Sequence, residues 1–116
     1  MDDFDIPILK KVYDLYKIFH GYHATIPKQD RYTIWQRCEN LILDIIEGIL
    51  LASQIYKCDK LQTLEKVSSK LDLLRVLVRF MKDMKVIDNK KYVALQSPID
   101  EIGRMLGGWI KSSKDR

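Results

Sequence analysis

Apolar residues in the second half of the chain fall alternately three and four apart: Leu64, Val67, Leu71, Leu74, Val78 and Met81. That spacing lays one seam along a helix and packs helix on helix. Leu73, Leu77, Phe80 and Met84 make a second apolar row, rotated from the first by about 100°. A helix in a lone small bundle needs one row, so the second predicts contact with a further body. The same rhythm recurs elsewhere. Ile8, Val12, Leu15, Phe19 and Tyr22 predict a helix over about 7–24, with Asp5 as its cap, Pro7 in its first turn and Gly21 near its end. Ile34, Cys38, Leu41, Ile45, Gly48, Ala52 and Ile55 form the seam of a second helix, about 29–56. Trp35, Ile42, Ile46, Ile49 and Tyr56 run beside it. Cys58-Asp59 reads as a short turn in which Asp59 caps the third helix, about 60–87. Asp88-Asn89 is turn chemistry, and Tyr92, Leu95, Ile99, Ile102, Leu106 and Trp109 carry a fourth helix, about 90–112. Their unbroken rhythm favours one helix, although Pro98 would allow a kink or a late start. The last residues, SSKDR, read as a disordered tail.

No strand period of two persists anywhere. Four helices joined by short turns predict an all-α, antiparallel up-down-up-down four-helix bundle. At 116 residues with 47% hydrophobic content, residues 1–116 make a single domain with one core. Gly103, Gly107 and Gly108 lie near the middle and end of the fourth helix. Glycines in a helix interior cost roughly 1 kcal/mol each relative to alanine, which a chain tolerates where another backbone comes close. These three and Trp109 are therefore candidate packing or oligomer contacts.

Charge changes this picture. The net +4 is divided unevenly: residues 1–56 carry −2 and residues 57–116 carry +6. Arg75, Arg79 and Lys82 stand in line at i, i+4 and i+7 on the third helix, with Arg104 and Lys111 at i and i+7 on the fourth. Adjacent antiparallel helices would set the two rows side by side. Such a surface binds phosphates by shape and charge rather than by base sequence. The plainer alternatives are a solvated face, or pairing with Asp72 and Asp83 on the same helix. Tyr92 and Trp109 fall in the apolar seam and read as core rather than as stacking platforms.

Catalytic chemistry finds little material. His20 and His23 lie three apart with no metal-ligand motif beside them. Asp100-Glu101 are adjacent and so point to different faces, and Asp44 and Glu47 fit a solvated face. The ExxH pairs of a di-iron bundle are missing, as are GxGxxG, P-loop, GxSxG and HExxH motifs. Cys38 reads as a small core residue and Cys58 as a turn residue, neither in a disulfide framework. The expectation is a non-enzyme without cofactor or metal. The acidic start MDDFDIP is unlike a signal peptide, and no apolar run approaches a membrane span, so a cytoplasmic, soluble protein is expected.

Two segments are more distinctive. IDEIGRMLGGWI (99–110) and LLRVLVRFM (73–81) resemble the accessory variability determinant (Avd) of diversity-generating retroelements. IPKQDRYTIWQ (26–36), with Asp44, Glu47 and Gly48, resembles the related bundle proteins encoded in intervening sequences of ribosomal RNA genes. The Arg–xxx–Arg pair and the Gly-Arg-xx-Gly-xx-Ile pattern are the specific parts. The resemblance implies a four-helix bundle assembled as a homopentameric barrel. It implies binding of a reverse transcriptase and of RNA and DNA through basic residues, with Arg75, Arg79 and Arg104 at the basic positions. The retroelement role is favoured because the arginine segments match it better. The alternative is a stand-alone interaction bundle of the intervening-sequence type.

Overall fold

The computed structural model describes residues 6–114, apart from the side chains of residues 57 and 58. Its elements are α1 (Pro7–Gly21), a 3-10 turn (His23–Thr25), α2 (Lys28–Arg31), α3 (Ile34–Ala52), α4 (Lys57–Asp83) and α5 (Asn89–Lys114). Four of these are long helices, and the described residues contain no strand. The first helix opens on Pro7, whose missing N–H costs nothing in a first turn. Asp5, its expected cap, lies outside the described residues.

The second expected helix is divided. Thr33 leaves helical geometry at φ −118° and ψ −103°, and its hydroxyl donates back to the carbonyls of Gln29 and Asp30, both at 3.3 Å. A short hydroxyl side chain that competes for the backbone in this way favours a break. The one-turn α2 therefore stands apart from α3. After Ala52 the helix stops, leaving Tyr56 86% exposed. Cys58 and Asp59 are not a turn: α4 already begins at Lys57, and Asp59 lies in its first turn rather than at its cap. A carboxylate there still faces the positive end of the helix dipole.

Helix α4 ends at Asp83, short of the expected boundary. Lys85 takes a left-handed φ of 62°, and the Val86 N–H returns to the Met81 carbonyl at 2.8 Å. This stop folds Val86 and Ile87 back into the core. Asp88 then caps α5, its Oδ1 accepting the Lys91 N–H at 2.8 Å. Pro98 sits inside α5 without splitting it, and Ser112 to Lys114 are helical rather than a disordered tail.

Helix α1 packs on α3, α3 on α4, α4 on α5, and α5 on α1, closing a ring around one core. Phe19 and Trp35 stack face to face across α1 and α3, centroids 3.6 Å apart and 8° from parallel. Between α3 and α4 the backbone comes close at Gly48, where an added Cβ would collide with Cγ2 of Val67. The second row proposed for α3 is largely internal, since Trp35, Ile42 and Ile49 are buried. The second row of α4 is not. Leu73, Phe80 and Met84 are 37%, 48% and 57% exposed. Among the described residues no helix is long and apolar enough to cross a membrane.

Candidate nucleic-acid interface

Four long helices place the basic residues in two different settings. The core seam of α4 sets its Arg75, Arg79 and Lys82 on the flank next to α5. Arg75 and Arg79 line an open groove of about 430 Å³ with Val76, Phe80, Tyr92, Gln96 and Asp100. Arg75 Nε lies 3.3 Å from Asp100 Oδ1, tying α4 to α5, and Nη1 lies 3.4 Å from Asp72. Its main-chain carbonyl accepts from Gln96 Nε2 at 3.4 Å. The guanidinium also covers Gly103, where a Cβ would stand 2.9 Å from Nη2. Arg79 Nε donates to both oxygens of Asp83, at 3.2 and 3.3 Å. Those bonds raise the Arg79 pKa above its ordinary value, with Tyr92 adding to the effect. Lys82 Nζ sits 4.6 Å from the centre of the Tyr92 ring. Three carboxylates thus answer the two arginines, which removes the like-charge cost of the ridge. Solvent screens exposed pairs of this kind, so each orients the guanidinium more than it binds it.

Arg104 and Lys111 stand differently. Both are exposed on the outward side of α5, opposite its buried row Leu95, Ile99, Ile102 and Leu106. Neither has a partner among the described residues, and neither lines the arginine groove. The two rows are therefore not gathered into one site within a chain.

The glycines also divide. Gly103 lies under Arg75, whereas a Cβ at Gly107 or Gly108 would meet nothing within 4 Å. Among the described residues no close helix approach exists at those two. The close approach falls instead at Gly48, placed in the α3 seam by its spacing but not singled out as a contact. Trp109 is half-buried and lines a small apolar groove of about 260 Å³ with Ile6, Pro7, Ile8 and Met105. Lys60 Nζ lies 6.0 Å from its ring centre.

Most of the remaining polar candidates have partners of their own. Asp100 turns to Arg75, while its neighbour Glu101 reaches Lys11 on α1 at 3.2 Å. Asp44 pairs with Lys70 at 3.0 Å. His20 stacks on Tyr16 with centroids 6.0 Å apart, and His23 lies in the 3-10 turn. Among the described residues no group of three or more His, Cys, Asp and Glu could hold a metal ion. Cys38 is fully buried, and burial pushes its thiol up to about 12, which suppresses the thiolate needed for reactivity.

No curated protein matches the chain. The family model described as bAvd-like matches residues 6–113, the span from the start of α1 to the last turn of α5. That span takes in the Arg–xxx–Arg segment of α4, the Gly-Arg segment of α5 and the first helix, and so the chain belongs to the bAvd-like family of accessory proteins.

Proposed function

We propose that this protein is a non-catalytic accessory factor of a diversity-generating retroelement. It acts in the cytoplasm as a single-domain, up-down-up-down bundle, assembled as a homo-oligomer, with a pentameric barrel as the expected form. It holds a reverse transcriptase together with its template RNA and DNA and so supports mutagenic retrohoming. Family membership over residues 6–113 is the observation that carries this reading. Two physical features support it. Each long helix packs on the next, and α3 joins α4, and α4 joins α5, through a short connection, which suits alternating directions. The exposed row Leu73, Phe80 and Met84 on α4 leaves apolar surface for a protein partner. One observation favours the alternative of an intervening-sequence-type interaction bundle: carboxylates already answer Arg75 and Arg79.

The test is co-expression with a retroelement reverse transcriptase. Co-purification at a fixed ratio, with retained template RNA, is the expected result. A protein that stays separate from the enzyme and does not support retrohoming refutes the retroelement role.

A further inference from the structure

The basic residues do not share one task. We infer that Arg104 and Lys111, on the outward side of α5, make the phosphate contacts of this protein, while Arg75 and Arg79 secure the α4–α5 flank. The inference rests on the nucleic-acid reading above and assigns its residues.

A cation contributes to polyanion binding through the counterions its phosphate contact releases. A guanidinium already facing a carboxylate must first give up that partner, and the freed carboxylate then repels the incoming phosphate. Arg75 faces Asp72 and Asp100, and Arg79 faces Asp83. The groove they line also contains Asp100 itself. Arg104 and Lys111 carry no such cost, having no partner among the described residues. Seven residues of helix separate them, about 10 Å along the axis, a span of about three phosphates on one strand of a duplex. The backbone between them is also open, since Gly107 and Gly108 are exposed with no neighbour near a Cβ among the described residues. A rod-like polyanion can therefore approach α5 without meeting a bulky side chain at those positions.

The experiment measures duplex binding by anisotropy from low to moderate salt for wild type, R104A/K111A, R75A/R79A and the charge-keeping R104K/K111R. Sizing and thermal melts accompany each titration. R104A/K111A should flatten the slope of log K against log salt by about 2 per engaged protomer, at roughly 0.9 per contact. Between about 50 and 200 mM salt, wild type should then lose about tenfold more affinity than this variant. R104K/K111R should keep the wild-type slope. R75A/R79A should keep the slope and melt at a lower temperature. If R104A/K111A binds with the wild-type slope, or changes the oligomer size, the assignment falls while the nucleic-acid reading can stand. A flattened slope confined to R75A/R79A overturns it too. Wild type that fails to bind at low salt defeats both the assignment and the reading beneath it.

Discussion

Gly48 lets α3 and α4 come together because it has no side chain to meet Val67. Gly48→Ala should destabilise the protein by about 1–3 kcal/mol, the usual range for overpacking a filled contact. Adding Val67→Ala should recover part of the loss, and urea unfolding of both variants checks this. An unchanged midpoint for Gly48→Ala would mean the helices separate there at no cost. This contact was only half legible. Gly48 shares the seam of Cys38, Leu41, Ile45 and Ala52, all buried, so its spacing pointed inward. Gly107 and Gly108 fall outside the seam rhythm of α5, and the structure exposes them. Glycine identity alone says nothing about which side of a helix meets a neighbour. The arginine ridge has the same limit. Asp83 lies four residues from Arg79 and was visible as a partner, whereas Asp100 reaches Arg75 from another helix. Only the packing of α5 on α4 brings that pair together.

At the level of elements, the apolar rhythm located all four long helices but not every end. It ran through Pro98, and α5 does continue through it. Proline removes the N–H that would bond the Ala94 carbonyl and crowds the preceding turn. Pro98→Ala should therefore raise stability by about 1–3 kcal/mol, up to the full proline penalty in a helix interior. Denaturant melts give the answer, and a lowered midpoint would show that the proline shapes α5 to fit its neighbours. Helix ends followed signals that spacing does not carry. Thr33 bonds back to Gln29 and Asp30 and cuts α2 from α3. Lys85 stops α4 in a conformation that composition would assign to glycine or asparagine.

For the whole molecule, the most consequential surface is the outer side of α4. The double row read from the sequence separates there into a buried seam and an exposed one, with Val76 at 47% joining Phe80 and Met84. This was legible because one helix side suffices for a small bundle. What covers the second side was not, since that depends on another molecule. Phe80→Asp should leave the helical signal intact and shift the protein from an oligomer to a smaller species, measured by light scattering. A wild-type particle of 13.7 kDa would show that this surface needs no second copy. The two tryptophans offer a further means of following the molecule. Trp35 is sealed against Phe19 at the α1–α3 junction, while Trp109 is half-open where α5 meets the start of α1. Their indoles differ in access to a dissolved quencher, so emission resolved by quenching watches two junctions of the ring independently. Coincident loss of both signals would mark one cooperative unit; a quenchable component that departs first would reveal that the bundle opens from its α1–α5 side.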